Sequence, residues 1–406
     1  MVEIRTITED EIGAYARAVV QGFHKLPQPG DDEFYRPAVD LDRTYAAFDG
    51  PDIVGTARSF ATPLTLPGPC ELTVAAVSSV TVRASHRRRG LLTSMMRTQL
   101  DEIAGRGESV AILIASEAPI YGRFGYGAAT ENVRLEVNAG HIRFTGSAPG
   151  GAVRFVDAEA FRAAAPTVYE RFRSMQPGAI ERKDRWWDVA AGITPRPGAD
   201  PPGFLALHID TAGDATGFVH YVVNEKWEGR AAASTIELRD LVAVTDEAYE
   251  ALWRMVTGAD WIARVTADDR PALEPLKALI EDRRDVHEVD RSDFLWARLL
   301  DVPGALAARR YRVADRLTVE VVDPFRPASG GRFVLDAGPD GATCAPTSAP
   351  ADLTLTASDL GAAYLGSTPL WPAAAAGRVD THRRGVVDAF DRLFGSARPS
   401  WCNTWF

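Results

Sequence analysis

The stretch RASHRRRGLLTSMM, residues 83–96, decides how the first third of the chain folds, because it joins a strand pattern to a helix pattern through a basic loop. The residues before it, CELTVAAVSSVTV (70–82), are β-branched and predict a strand. The residues that follow, GLLTSMMRTQLDEIAGRG (90–107), place apolar side chains at helical spacing and end at glycine. These apolar side chains are Leu92, Met95, Met96, Leu100 and Ile103. VAILIAS (110–116) then predicts a buried strand.

The loop between the predicted strand and helix has the chemistry of a phosphate site. A helix N-terminus offers unpaired backbone N–H groups and the positive end of a dipole. Gly90 permits close approach of a phosphate, and Arg87 and Arg88 can add charge-assisted hydrogen bonds. The sequence therefore predicts a pyrophosphate cradle, with a solvated basic turn as the alternative.

The residues around this loop predict an α+β first unit. VEIRTIT (2–8) alternates like a strand, and EDEIGAYARAVVQGF (9–23) has helical spacing. Strand patterns then flank Gly50 and Pro51, which is typical of a hairpin. SAPGGA (147–152) reads as a linker that ends this unit.

Two further units are predicted after the linker. The second repeats the order of meander, strand and helix, but its junction VAVTDEAYEA (242–251) carries Asp246 and Glu247 where a phosphate needs amides and positive charge. We therefore expect it to bind no cofactor. The third unit has strand patterns followed by a last helix, THRRGVVDAFDRLFG (381–395). The predicted domains are 1–148, 149–292 and 293–406.

Composition excludes several classes of protein. The 406 residues are 46% apolar and 25% charged, which is typical of globular proteins. The chain has 45 basic and 55 acidic residues, so its net charge is −10, and no global basic field favours binding to nucleic acid or to an anionic membrane. This charge fits a cationic substrate better.

Cysteine usage and the start of the chain indicate a cytoplasmic protein. Cys70, Cys344 and Cys402 lie far apart, without a CxxC pair or nearby histidines, so neither a disulfide framework nor a metal site is predicted. The N-terminus lacks the basic and apolar regions of a signal peptide. No run of about 18 apolar residues occurs, and we expect no membrane association.

Two motifs resemble the GNAT acetyltransferase superfamily. The R/Q-x-x-G-x-G/A loop of that superfamily is similar to residues 87–92, although Leu92 replaces the usual small residue, and its Y-x-x-x-G-F/Y segment is similar to residues 121–126. HRRRGLL, IYGRFGYG, DVP-x-ALAARRY and the aromatic C-terminus together resemble the enhanced intracellular survival (Eis) family. That family implies two GNAT-like domains, the second without cofactor, a sterol-carrier-protein-like domain and a homo-hexamer.

The resemblance also implies an acetyl-CoA site and a general acid. The residues that it assigns to acetyl-CoA are Val80 and Val82 for the pantetheine arm, Arg87, Arg88, Gly90 and Leu91 for the pyrophosphate, and Ser116 beside the arm. Tyr121 would protonate the departing CoA thiolate, whose conjugate thiol has a pKa of about 8.5 by analogy with cysteine, because the thiolate leaves more easily when a nearby hydroxyl supplies a proton. The alternative for Tyr121 is a core aromatic residue whose hydroxyl is satisfied elsewhere.

The same resemblance makes the α-carboxylate of Phe406 the base that deprotonates the acceptor amine. With a reference pKa of about 3.3–3.7, this group is ionised at neutral pH. A frayed tail is the alternative. Trp401, Trp405 and Phe406 favour docking, because exposing three aromatic side chains would forgo apolar burial.

The predicted function is acetyl transfer from acetyl-CoA to amines of cationic small molecules, with aminoglycosides and polyamines as the class that the family implies. Asp31, Asp32 and Glu33 follow the first helix and could attract such an acceptor, although a solvated acidic loop explains them equally well. Two other functions remain open. One is acetylation of protein lysines or N-termini, and the other is non-catalytic binding of a lipid or partner by the third unit.

Overall fold

The computed structural model describes residues 2–198 and 203–406. Its α-helices are, in chain order, α1 (Ile12–Gly22), α2 (Asp31–Tyr35), α3 (Leu91–Gly105), α4 (Ala118–Tyr121), α5 (Ala158–Arg173), α6 (Asp184–Ala190), α7 (Asp246–Thr257), α8 (Leu276–Leu279), α9 (Val302–Ala307), α10 (Ala357–Ala363), α11 (Trp371–Ala375) and α12 (Val386–Phe394).

The strands form two large sheets, one smaller sheet and a short hairpin. In chain order they are β1 (Glu3–Thr6), β2 (Thr44–Asp49), β3 (Asp52–Leu66), β4 (Cys70–Val82), β5 (Val110–Ile114), β6 (Gly127–Ala128), β7 (Glu131–Val137), β8 (Ala152–Phe155), β9 (Phe204–Ile209), β10 (Ala215–Asn224), β11 (Trp227–Glu228), β12 (Ala231–Ala232), β13 (Ser234–Ala243), β14 (Ile262–Pro271), β15 (Val286–Asp293), β16 (Leu295–Leu299), β17 (Asp315–Val322), β18 (Gly331–Gly338), β19 (Gly341–Pro346), β20 (Leu353–Thr356) and β21 (Asp380–Thr381).

The first sheet has the order β1-β2-β3-β4-β5-β16-β6. Its strands β4 and β5 are parallel, and α3 makes the crossover between them. α3 buries Met96, Leu100 and Ile103 against the sheet, and Met95 is buried beside them. The helix and its apolar face are therefore confirmed.

Two strands cross the domain boundaries that the sequence predicts. β7, assigned to the first unit, pairs with β14 and β15 in the second sheet, whose order is β15-β7-β14-β13-β10-β9-β8. β16, assigned to the third unit, pairs with β5 and β6 in the first sheet. The boundaries at 148/149 and 292/293 therefore do not separate the sheets. A linker-like composition marks a loop, but it does not show which sheet the preceding strand joins.

The third unit packs its sheet, β19-β18-β17-β20-β21, into a core that continues into the first unit. α10 lies directly on β6 and β16, and two glycines permit this approach. A Cβ on Gly127 would stand 1.9 Å from the Ser358 carbonyl oxygen, and one on Gly361 would stand 2.2 Å from that of Ala297. A buried ion pair of 2.5 Å between Arg298 of β16 and Asp323 also joins the two units.

Residues 2–198 and 203–406 contain no helix that is long and apolar enough to cross a membrane. The same residues contain no group of three or more His, Cys, Asp or Glu side chains arranged to hold a metal ion. The three cysteines are free thiols.

Candidate active site

The parallel strands β4 and β5 separate soon after they meet. Within the described residues, β4 pairs with β5 through Ala75 and Ala76 alone, while its other edge stays paired with β3 as far as Val82. The edge of β4 that faces β5 therefore has backbone groups without a strand partner from Val77 onward. Val80 and Val82 lie on this free edge, with side chains packed beneath α3. An extended ligand can pair with such an edge as another strand would.

A β-bulge interrupts β4 at this gap. On β4, three steps separate Ser78 from Thr81, whereas their partners on β3, Arg58 and Thr56, are two steps apart. Ser79 has a φ of 55°, in the left-handed region that non-glycine residues occupy at a cost. The Thr56 hydroxyl donates to the Ser79 carbonyl at 2.7 Å, and Arg58 Nε donates to Ser79 Oγ at 3.2 Å. These bonds fix a bulge that redirects the β4 edge.

The loop before α3 combines free N–H groups with free positive charge. α3 begins at Leu91, and Gly90 precedes it with a φ of 79° and open space where a Cβ would stand. Arg88 also has a positive φ, 63°, and such left-handed residues curl a loop so that its N–H groups converge. The side chains of Arg87 and Arg88 are exposed and form no ion pair with the described residues. The loop can therefore hold an anion.

Tyr121 lies on the β5 side of the gap, at the end of α4. Its side chain is 5% exposed and packs in the cluster beneath α3. Burial raises the pKa of Tyr121 above its usual value of 10, while the Ser116 side chain acts in the opposite direction. The ring of Tyr126 packs edge-on at 6.1 Å between centroids, and its buried hydroxyl has no partner among the described residues. Tyr121 is therefore a protonated phenol at neutral pH.

The last six residues are docked rather than frayed. Arg182 donates to Thr404 Oγ1 at 2.8 Å and to the Asn403 carbonyl at 3.0 Å, and it forms an ion pair of 2.5 Å with Asp240. Asn403 Nδ2 donates to the other carboxylate oxygen of Asp240 at 3.1 Å. The hydroxyls of Tyr169 and Thr404 share a hydrogen bond of 2.9 Å. The second unit therefore holds the tail.

Both tryptophans of the tail bind Asp269. Trp401 is buried, and its Nε1 donates to the Asp269 carbonyl at 2.8 Å. Trp405 is exposed, yet its Nε1 donates to the Asp269 carboxylate at 2.7 Å. Burial raises the pKa of Asp269, and hydrogen bonds from Trp405 and Asn132 oppose that rise.

Phe406 ends against the first sheet. Its ring packs edge-on against Phe60 of β3, with 5.8 Å between centroids, and Trp186 of α6 lies 6.0 Å from the same ring. We call Phe60, Trp186 and Phe406 the aromatic wall. Arg58 is two residues from Phe60 on β3, so their side chains share one sheet face, where Arg58 Nη1 donates to the Ala38 carbonyl at 2.8 Å. Because Arg58 also bonds the bulge, the end of the tail and the β4 gap share one neighbourhood.

The three acidic residues predicted for the acceptor form no hydrogen bond or ion pair with the aromatic wall within the described residues. Asp31 is buried, and its Oδ2 accepts from the backbone N–H of Gln28 at 2.7 Å. Asp32 lies beside Gly13 of α1, and a hydrogen bond with Glu33 lowers the pKa of Asp32. Glu33 is exposed. Their role toward an acceptor stays a prediction.

Arg58, Phe60 and the bulge at Ser79 were not predicted from the sequence. One available signal was a charge inside the otherwise uncharged run IVGTARSFATPLTL (53–66), where a central strand would bury it. The bulge has no such signal, because Ser79 is not a residue that favours positive φ.

The second unit differs at the equivalent positions. β13 and β14 stay paired through five residue pairs. At the N-terminus of α7, the Thr245 hydroxyl accepts from the Ala248 N–H at 3.1 Å, and Arg270 donates to the Leu241 carbonyl of β13 at 2.9 Å. These contacts give a physical reason for the prediction that this unit binds no cofactor, which itself stays a prediction.

Three family models match the chain. An acetyltransferase (GNAT) domain matches residues 3–129, a second acetyltransferase (GNAT) domain matches 178–299, and a sterol carrier protein domain matches 302–403. An N-acetyltransferase of Streptomyces avermitilis is 37% identical over 415 residues, covering 100% of this chain and 99% of that protein. The N-acetyltransferase Eis of Mycobacterium tuberculosis is 36% identical over 405 residues, covering 97% and 96%.

Solved structures agree with the architecture. Eis1 from Mycobacterium abscessus superposes with a TM-score of 0.87 at 31% identity, covering 100% of both chains. A GCN5-related N-acetyltransferase from Anabaena variabilis gives a TM-score of 0.86 over 100% of both chains, and its 17% identity supports the fold alone. The predicted α+β fold, two GNAT-like units followed by a sterol-carrier-like one, is confirmed.

Proposed function

The chain belongs to the Eis family of GNAT N-acetyltransferases, and from this premise we propose that it transfers an acetyl group from acetyl-CoA directly to a primary amine of a small molecule. The observation that carries the proposal is the gap between β4 and β5. Its free β4 edge ends at a loop with convergent N–H groups and with two arginines, Arg87 and Arg88, that form no ion pair with the described residues. An edge that can pair with amides, followed by an anion site, fits the extended arm and pyrophosphate of acetyl-CoA.

In this proposal, acetyl-CoA is held mainly by backbone groups. Val80 and Val82 pair with the pantetheine arm, and Ser116 lies beside it. Arg87, Arg88 and the N–H groups at Gly90 and Leu91 bind the pyrophosphate. The bound molecule supplies a thioester, whose carbonyl carbon is the electrophile. Because the contacts are mostly to the backbone, the site depends on the divergence of the strands as well as on side-chain identity.

Two groups of the chain move protons in the proposed reaction. The Phe406 carboxylate accepts the proton that the acceptor amine must lose before its nitrogen lone pair attacks the carbonyl carbon. The Oη of Tyr121 donates its proton to the sulfur as the carbon–sulfur bond breaks. The burial that keeps Tyr121 protonated supports this role. The edge-on contact between Phe406 and Phe60 supports the placement of the base on the first unit.

Aminoglycosides and polyamines are the acceptors that the family resemblance implies, so they are the first to test. The assay follows release of CoA thiol from acetyl-CoA by the purified protein with kanamycin, a polyamine or a lysine peptide. Release that depends on a small amine supports the proposal. Preference for the peptide would instead favour acetylation of proteins.

The assignment of the acid has a matched control. Tyr121→Phe should lower kcat by about 10²–10⁴-fold, the usual contribution of a general acid, while acetyl-CoA still binds by calorimetry. Tyr126→Phe removes a neighbouring buried hydroxyl that has no hydrogen-bond partner among the described residues, and it should leave turnover unchanged. Full activity in Tyr121→Phe would remove this residue from the mechanism.

A further inference from the structure

Positive charges surround the aromatic wall against which the chain ends. The guanidinium carbon of Arg58 lies 5.4 Å from the centre of the Phe60 ring, and Lys183 Nζ lies 5.3 Å from it. Phe406 packs against the same ring. Both cations therefore lie beside the end of the tail, where the proposed base must meet the acceptor.

Two further arginines extend this positive region over α2. The guanidinium of Arg185 stacks on Phe34 at 4.0 Å and donates to the Phe34 carbonyl. The guanidinium of Arg196 lies 6.0 Å from the same ring. The cationic cluster is thus contributed by β3, α6 and the segments beside α6. Its members are Arg58, Lys183, Arg185 and Arg196.

No member of the cationic cluster forms an ion pair within the described residues. The donors of Arg58 reach neutral oxygens, those of Ala38, Ser78 and Ser79. Burial lowers the pKa of Arg58, and burial together with the nearby charges of Arg58 and Arg196 lowers the pKa of Arg185. The guanidinium groups of Arg58 and Arg185 are therefore partly removed from water while they repel each other, which is costly without an anion, and the exposed side chains of Lys183 and Arg196 add positive charge nearby.

The anions already considered do not neutralise the cluster. Of the acids of α2, Asp31 accepts from Gln28 and Asp32 lies beside Gly13. Glu33 is exposed and shares a hydrogen bond with Asp32, and none of the three forms an ion pair with the cationic cluster within the described residues. The Phe406 carboxylate forms no ion pair with a described residue. The phosphates of acetyl-CoA are assigned to the loop before α3, beyond the far end of β4. An anion belonging to the acceptor would complete the site.

We propose that the preferred acceptor carries a carboxylate in addition to its primary amine, and that the cationic cluster binds this carboxylate while the amine faces the β4 gap. The inference rests on the proposed function. A guanidinium can hold a planar carboxylate through two parallel hydrogen bonds, and the half-buried Phe34 offers apolar surface to the spacer between the two groups. A polyamine would instead meet four cations and one carboxylate, so this substrate class differs from the one that the family resemblance implies.

Three acceptors of equal chain length test the proposal, because they differ only in the group opposite the amine. They are an ω-amino acid, an n-alkylamine and an α,ω-diamine, with kanamycin as a reference. We expect kcat/KM to be at least about tenfold higher for the amino acid than for the alkylamine, as for a charge-assisted hydrogen bond, and lowest for the diamine. A diamine or kanamycin that equals or exceeds the amino acid would overturn the inference and leave the proposed function intact. If none of these acceptors caused release of CoA at any chain length, both this inference and the proposed function would be overturned, since no amine would then be an acceptor.

Variants test whether the cluster causes the preference. Lys183→Met and Arg185→Met should each lower the ratio of kcat/KM for the amino acid to that for the alkylamine by about tenfold. Lys226→Met is the control, because it removes the same charge from an exposed site in the second unit, and it should change the ratio by less than about twofold. An unchanged ratio in both cluster variants would overturn the assignment.

Discussion

Two residues added after Phe406 should nearly abolish turnover without preventing acetyl-CoA from binding. Each residue extends the chain by at most about 3.3–3.6 Å, so a Gly-Ser extension can displace the terminal carboxylate by up to roughly 7 Å. A general base must lie within about 2.6–3.2 Å of the proton that it removes, or act through one water. Because a base contributes typically about 10²–10⁴-fold, we expect kcat to fall by that factor.

Phe406→Ala separates the carboxylate from the ring that carries it. This variant keeps the α-carboxylate and loses the edge-on contact with Phe60. Such a contact is worth about 0.5–1.5 kcal/mol, which corresponds to a loss of at most about tenfold in rate if all of it serves to place the base. The extended protein should therefore be at least about tenfold slower than Phe406→Ala.

The assay is CoA thiol release at saturating acetyl-CoA and amine, with the dissociation constant for acetyl-CoA measured separately by calorimetry. The extension should leave that constant within about twofold of the unmodified protein, because the tail docks on the second unit and on Phe60, away from the loop before α3. Equal rates for the extended protein and Phe406→Ala would refute the carboxylate as the base. An equal loss of binding and turnover would show that the extension disturbs the fold.

Three other predictions concern the cradle, the core and the acid. Gly90→Ala should raise the KM for acetyl-CoA about tenfold, since a side chain is strained at a φ of 79° and would face the proposed phosphate site. Gly107, at the other end of α3, has a φ of 78° and equal open space, so Gly107→Ala should leave KM unchanged. Asp323→Leu leaves the charge of Arg298, whose side chain is 0% exposed, without its ion-pair partner. The free energy of unfolding measured in urea should therefore fall by about 3–5 kcal/mol, and adding Arg298→Met should restore most of that loss. Because burial raises the pKa of Tyr121 above its usual value of 10, the midpoint of any alkaline decline in kcat that this phenol causes should lie above pH 10. A decline with its midpoint near pH 8 that Tyr121→Phe abolishes would contradict this.

Local features of the sequence were predictable because their physics is local. The helix after Gly90 follows from apolar spacing over one segment, and the structure confirms it with α3, where Met96 and Leu100 are fully buried. The tail was likewise predicted to dock, because exposing Trp401, Trp405 and Phe406 would forgo apolar burial. Trp401 is buried as expected, whereas Trp405 stays exposed and is held by its hydrogen bond to Asp269. The predicted site residues Val80 and Tyr121 lie on opposite sides of the β4–β5 gap, although their roles stay predictions.

The features that the sequence did not predict depend on contacts between distant segments. β7 pairs with β14, and β16 pairs with β5, and in each case the partner lies more than a hundred residues away along the chain. These pairings were not predictable because a strand pattern does not identify the strand with which it pairs. The cationic cluster assembles from residues 58 and 183–196 in the same way. The net charge of −10 did not predict the cationic cluster, since net charge averages over the whole surface, including regions that an acceptor does not contact.

The tail gives the second unit a part in a reaction whose cofactor it is not expected to bind. Asp240 and Asp269 lie on β13 and β14 of the second sheet, and they hold Asn403 and Trp405 immediately before the terminal carboxylate. Catalysis is sensitive to displacements of about 1 Å, so in the proposed mechanism these carboxylates position the base without touching acetyl-CoA. Arg182 extends the same support by bonding Asp240 and the tail together. The second unit, in which β13 and β14 stay paired, thus provides the hydrogen-bonding surface along which the end of the chain reaches the first unit.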